Sequence, residues 1–288
     1  MTSDLASIAV FGPGLMGGSL LMALRARCPG LRLGVWARRQ AAVDDVLRRG
    51  LADFGSTDAA EVARNAGCAV LCLPVERLKT LAESIAGAIT PDTLVTDVGS
   101  VKGSVVAELE DVFAERGNFV GSHPMCGSEE AGLDAARDDL YEGATCVVTP
   151  TARSRPELVR QACGLWMTVG GRVLQMDPAR HDRAAALVSH VPHVAAAALV
   201  ALVGAESADA RDLCAGGFRD TTRVASGSPE LWTGILSLNR AEAARGLGEL
   251  IEVLAGVKRA LERDKADDVK ALLSSAAALR AEILHARQ

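Results

Sequence analysis

Gly12, Gly14 and Gly17 stand at Gly-x-Gly-x-x-Gly spacing, directly after the apolar run Ile8 to Phe11 and running into a segment, Leu15 to Arg27, that reads as a helix. Nothing else in the chain narrows the fold as much. The first glycine lets a strand bend sharply, the second brings backbone close to a pyrophosphate, and the third packs helix against strand. The diphosphate would rest on the helix N-terminus, where free N–H groups and the positive dipole end point at it. Leu31 to Trp36 reads as a second strand ending roughly 20 residues past Gly17, as a dinucleotide-binding βαβ unit requires. The expected cofactor contacts are Gly12, Gly14, Leu15, Met16 and Gly17, then Leu73 and Pro74 after a later strand, and Asp97.

The second strand ends in Trp36-Ala-Arg38-Arg39, where an NAD-preferring site usually places an acid for the ribose hydroxyls. Two guanidiniums suit a 2′-phosphate, which Arg holds by paired, charge-assisted hydrogen bonds. NADP is therefore expected over NAD, against the alternative that Arg38 and Arg39 are merely solvated.

A chain of 288 residues fits two domains better than one. With a net charge of −5, no basic block and 3% aromatic residues, it lacks the groove and stacking platforms of a nucleic-acid binder. The N-terminus has no charged leader, and the apolar run Val194 to Val203 is about half the ~20 residues of a membrane span, so a buried helix is expected there. Seven scattered cysteines, mostly inside apolar runs, read as reduced thiols of a cytoplasmic protein, without metal spacing.

Strand-like runs at Cys68 to Leu73, Leu94 to Thr96, Phe119 to Gly121, Thr145 to Thr149 and Arg172 to Met176 alternate with helical patterns at Arg77 to Ala88, Val101 to Arg116 and Pro156 to Thr168. This predicts an α/β fold: an N-terminal, Rossmann-type, doubly wound and mostly parallel sheet. From His181 onward every pattern is helical, which predicts an all-α C-terminal domain, with domains at 1–177 and 178–288. Several of these helices are apolar over more than one face and must be covered by something, so a homodimer formed through them is expected.

Three segments are polar within apolar surroundings: Thr96 to Gly103, Gly121 to Glu129, and Ser189-His190-Val-Pro192-His193 together with Gly216 to Arg223. The first two follow strands, on the edge where open α/β sheets place ligands. His123, in a glycine-flanked loop, is not placed like a core histidine. His190 and His193 share a helix face beside Pro192, which should kink the helix. His181 reads as a residue at a helix start and His285 as tail surface.

The glycine turn, Asp97-Val-Gly-Ser-Val-Lys102, Ser122-His-Pro-Met-Cys-Gly-Ser-Glu129, Ser189-His-Val-Pro-His193, Gly217-Phe-Arg-Asp-Thr-Thr-Arg223 and Ser228-Pro-Glu-Leu-Trp232 occur in one order from about residue 7 to residue 240. Together they resemble the prephenate/arogenate dehydrogenase family of tyrosine biosynthesis. The resemblance implies oxidative decarboxylation of a cyclohexadiene: hydride passes from ring C4 to NAD(P), the 4-hydroxyl loses its proton and CO2 leaves as the ring becomes aromatic. By the same resemblance His123 is the base, with Ser100 beside it. Arg223 holds a carboxylate, His193 adds a hydrogen bond, Asp220 orients Arg223 or neighbouring groups, Trp232 walls the pocket, and Ser128 completes the substrate set. A departure is the Arg38-Arg39 pair, in place of the acid of NAD-preferring members.

Two other readings are a two-domain β-hydroxyacid dehydrogenase and a non-catalytic NADP-binding redox sensor. The first needs a lysine on the central helix of its second domain, and Ala184 to Val203 has none. The second has no need of His123, His193 and Arg223 together. The chain ends in helices at Gln288, so no appended regulatory or mutase domain is expected.

Overall fold

The computed structural model describes residues 6–115, 117–127, 130–206 and 208–285. β1 (Ser7–Phe11), β2 (Arg32–Trp36), β3 (Phe54–Ser56), β4 (Cys68–Leu71) and β5 (Leu94–Asp97) form a parallel sheet in the order β3-β2-β1-β4-β5. The crossovers are α1 (Leu15–Arg27), α2 (Gln40–Arg48), α3 (Ala59–Arg64) and, after a 3-10 turn at Val75–Arg77, α4 (Leu78–Ala86). Successive strand residues face opposite sides. Ile8 and Val10 accordingly enter a core with Leu20, Leu24 and Trp166, whereas Ala9 and Phe11 enter another with Leu71, Leu81 and Val105. A sheet covered on both faces explains why its strands read as continuous apolar runs rather than alternating ones.

Past β5 the chain runs through α5 (Gly103–Val112) into a second, three-stranded sheet, β6 (Gly121–Pro124), β7 (Thr145–Thr149) and β8 (Arg172–Gln175). β6 is antiparallel to β7, β7 is parallel to β8, and α6 (Pro156–Thr168) connects β7 to β8. The strand expected at Phe119 to Gly121 lies further on. Phe119 makes only a bridge to Val95, and the chain then turns away to pair with β7. His123 is therefore inside a strand and not in a loop.

Only helices follow: α7 (Pro178–Ala185), a π-helical stretch Ala186–His190, α8 (Val191–Ala205), α9 (Ala208–Asp212), α10 (Gly216–Thr222), a 3-10 turn Arg223–Ser226, α11 (Pro229–Leu238), α12 (Arg240–Glu262) and α13 (Ala266–His285). The break in regularity expected at Pro192 takes the form of this π stretch just before it. A proline has no N–H to return to the preceding turn, and the wider turn accommodates that loss.

Strands give way to helices at Asp177-Pro178, whereas packing divides the chain into compact units at Arg240 and Ala241. The helices up to α11 belong with the sheets because Asp182 bonds to the start of α5 and α11 packs beside the Val75–Arg77 turn. The unit from Ala241 comprises the rest of α12 and α13.

The buried helix expected at Val194 to Val203 is not buried within the single chain. Leu199, Val200 and Leu202 are 42%, 42% and 63% exposed. Pro178–Ala205 is long and apolar enough by length and composition to cross a membrane. Its first half, however, carries buried and hydrogen-bonded His181, Asp182 and His190.

Candidate active site

The glycine turn has the geometry its spacing predicts. Gly12 has φ +103°, and a Cβ there would lie 2.6 Å from the Cys72 carbonyl and 2.8 Å from the Leu73 side chain. A Cβ on Gly17 would lie 2.2 Å from the Gly12 carbonyl oxygen, so the helix can approach the turn only without a side chain. Gly14 precedes α1 with no side-chain cap, and the first turn of the helix contains no acid. Its leading N–H groups are thus available to an anion, and a dinucleotide diphosphate fits. Leu15 and Met16 begin the helix, the Met16 carbonyl accepting from the Tyr141 hydroxyl at 2.6 Å. Half-buried Leu73 and exposed Pro74 follow β4 on the same edge, and exposed Arg38 and Arg39 follow β2. Neither arginine forms an ion pair among the described residues, which leaves both forks open.

Asp97 has another task than the cofactor contact expected of it. It is fully buried at the end of β5; Oδ2 accepts from Gly99 N–H at 2.8 Å and from Lys102 Nζ, and Oδ1 from Ser122 N–H at 3.1 Å. Lys102, also fully buried, reaches the Ser122 carbonyl at 2.9 Å. Burial lowers the Lys102 pKa while Asp97 works against that shift. Ser122 Oγ donates to the Asp97 carbonyl at 2.6 Å. The pair therefore binds β5 to β6 and fixes both peptide groups of Ser122, the residue immediately before His123.

His123 is 9% exposed, and its Nδ1 lies 2.9 Å from Nε2 of His181. His181 lies near the start of α7, as expected, but it has a task that this position did not announce. It is buried, and its Nδ1 lies 2.8 Å from Asp182 Oδ1. Asp182 in turn accepts from the N–H groups of Lys102 and Gly103, each at 2.7 Å, and so caps α5 from a distant part of the chain. Burial pushes the Asp182 carboxyl up, but the bonds from His181, Lys102 and Gly103 hold it below the usual range. Burial, then His181, Lys102 and His190, drive the His123 imidazole well below the histidine norm. His123 is therefore neutral at pH 7, and among the described residues no hydrogen bond occupies its Nε2.

The connections continue from Asp182. Asn239 Nδ2 donates to the Asp182 carbonyl at 2.9 Å and lies 3.2 Å from His190 Nδ1. His190 meets Trp232 edge-on, and His193 stacks flat on the same indole. Nε2 of His190 and Nδ1 of His193 are buried without a partner among the described residues. Buried polar atoms of this kind are rare and call for an explanation. Trp232 is half-buried on α11 beside the turn that follows Leu73 and Pro74, while Arg223 and Asp220 are exposed near the end of α10. Asp220 makes no hydrogen bond or ion pair among the described residues, so it does not orient Arg223 here. Ser100 is half-buried after β5 and has no hydrogen bond to His123. Ser128 lies outside the described residues.

Residues 20–175 match the model of the prephenate dehydrogenase nucleotide-binding domain, and residues 177–275 that of the prephenate dehydrogenase dimerization domain. A cyclohexadienyl dehydrogenase of Zymomonas mobilis is 32% identical over 264 residues, covering 90% of each chain. Among solved structures, a prephenate dehydrogenase from A. aeolicus in complex with hydroxyphenyl propionate and NAD+ has a TM-score of 0.91 and 28% identity over 98% of this chain and all of its own. A Synechocystis arogenate dehydrogenase has a TM-score of 0.85 and 29% identity, covering 96% and 99% of the two chains. With the nucleotide cradle, a buried neutral imidazole and both family domains in sequence order, the chain belongs to the prephenate dehydrogenase family of nicotinamide-dependent dehydrogenases.

Proposed function

We propose that the protein oxidatively decarboxylates prephenate or arogenate in tyrosine biosynthesis, with His123 as the base that takes the 4-hydroxyl proton. The observation that carries this reading is the state of His123: neutral, fixed at Nδ1 by His181, and without a partner at Nε2 among the described residues. A base must be unprotonated at working pH and within reach of its proton. A nicotinamide dinucleotide bound on the glycine turn supplies the hydride acceptor. As the C4 hydride and the hydroxyl proton leave, the ring carboxylate is lost as CO2 and the ring becomes aromatic. Ser100, on the loop before α5, bonds the same hydroxyl. Arg223 grips a substrate carboxylate with its planar fork, with Ser128 as a further contact, and unpartnered Nδ1 of His193 gives a polar contact beside the Trp232 wall.

The exposed, unpaired forks of Arg38 and Arg39 support NADP over NAD. Exposed Leu199, Val200 and Leu202 in one unit, and Ile251, Leu254, Leu273 and Ile283 in the other, support a homodimer through the C-terminal helices; the two family models, meeting between residues 175 and 177, support domains at 1–177 and 178–288. Burial pushes the Cys126 and Cys146 thiols to about 12, a setting suited to inert cysteines of a cytoplasmic enzyme rather than to a redox sensor.

Nicotinamide absorbance, followed with prephenate and arogenate each crossed against NAD and NADP, tests the reaction and the cofactor together. Turnover of neither substrate overturns the reaction, and a preference for NAD of about tenfold or more overturns the phosphate-binding role of the arginines.

A further inference from the structure

We propose that His181 and Asp182 are positioning residues that hold the proton of His123 on Nδ1, so that Nε2 is the atom that accepts the substrate proton. The inference deepens the reading of His123 as base and rests on it.

The order of donors follows from groups that can act in only one way. Lys102 N–H and Gly103 N–H can only donate, and both point at the Asp182 carboxylate. An ionised carboxylate can only accept, so the hydrogen bond between Asp182 Oδ1 and His181 Nδ1 carries its proton on the histidine. With its one ring proton on Nδ1, His181 presents a lone pair at Nε2. The 2.9 Å contact with His123 Nδ1 then requires its proton on His123. Four groups in a row, starting from the backbone at the head of α5, thereby settle which nitrogen of His123 is basic. When Nε2 takes a proton, His123 Nδ1–H still has an acceptor in His181, with the Asp182 charge behind it. This is the division of labour of a base and its orienting partners in other enzymes. The charged or titratable groups acting on His123 are His181, Lys102 and His190, with Asp97 neutralising Lys102 from behind.

Two His181 variants separate this role from packing. His181→Phe keeps a ring of similar size but offers no acceptor to His123 Nδ1. His181→Gln places an amide oxygen near the former Nε2 and restores one. The expected result is a loss in kcat of about 10- to 100-fold with little change in KM for His181→Phe, and recovery of most of that loss for His181→Gln. Nitrogen chemical shifts of the His123 ring report the tautomer directly. They should show Nδ1–H in the unaltered enzyme and in His181→Gln, with Nε2–H appearing in His181→Phe. An Nε2–H tautomer in the unaltered enzyme overturns the proposal, as does a His181→Phe enzyme within about threefold of full turnover. Should His181→Phe fail to fold, the shifts of the unaltered enzyme and of His181→Gln decide. The tautomer is read without turnover, so normal activity in a His123→Asn enzyme would remove the base assignment separately.

Discussion

The imidazole of His193 lies flat against the indole of Trp232, with ring centroids 3.6 Å apart and planes 15° from parallel. Behind the indole, a Cβ added to Gly227 would meet Trp232 Nε1 at 2.6 Å and His193 Cε1 at 3.3 Å. Gly227→Ala must displace the stacked pair. KM for the substrate should rise by about tenfold with a smaller fall in kcat, as steady-state kinetics would show, because a misplaced wall weakens ground and transition states alike. An unchanged KM would place the pair outside the substrate site.

His123→Asn keeps the strand and the buried volume but removes the base. Turnover should fall by about 10²- to 10⁴-fold while cofactor binding, measured by fluorescence titration, is retained. Near-normal turnover would mean that another group takes the proton.

Arg223→Ala should raise KM by about tenfold or more and leave kcat within a few-fold, if the carboxylate is held equally in ground and transition states. Arg223 is exposed in the free enzyme, so the contact is worth less there than a fully buried one. An unaltered KM would assign Arg223 a structural task.

Acid should affect activity and stability at different points. Because burial, then His181, Lys102 and His190, hold His123 well below the usual range, kcat/KM should remain level from about pH 8 to below about 6 and fall only at more acid pH. An acid limb centred at the ordinary histidine value of ~6.5 would point to a more solvated base. For stability, burial holds His190 at about 4, so below ~6.5 the unfolded chain binds a proton that the folded protein refuses. The stability in question is complete above ~6.5, is lost as pH falls towards 4, and amounts to about 3 kcal/mol for this group. Urea unfolding at about pH 7 and pH 4.5 would measure it, and the difference should shrink in His190→Gln.

Lys102→Met leaves the Asp97 charge buried without its cation. Removing one partner of such a pair costs about 3–5 kcal/mol, which calorimetry would register as a large fall in Tm. Activity should also fall, because Asp97 and Lys102 fix both peptide groups of Ser122 immediately before His123.

The parts of the fold that are local in sequence were legible in it. Gly12 to Gly17 announces the turn, the apolar run Cys68 to Leu71 announces a strand covered on both faces, and the loss of strand patterns past Met176 announces the helices. The short β3 and α3 carry too few residues to show a period, and α2, which buries only Val43 and Val46, was not expected either. His181 was passed over because its role arises only in three dimensions. Fifty-eight positions separate it from His123, and a histidine near the start of a helix looks like any solvated one until the chain closes. Asp97 misleads for a related reason: its place at a strand end is that of a ligand contact, but Lys102, Gly99 and Ser122 use both of its oxygens. The exposure of α8 was hidden because an apolar run reads the same whether its own chain covers it or not.

The widened turn at Ala186–His190 makes this stretch sensitive to length more than to composition. Each residue advances a regular helix by about 100°, so deleting one residue here would rotate all that follows by that angle relative to α7. Asp182 would stay at the head of α5 while His193 swung off its indole. Val188, 59% exposed, can change its side chain freely, but it cannot be lost.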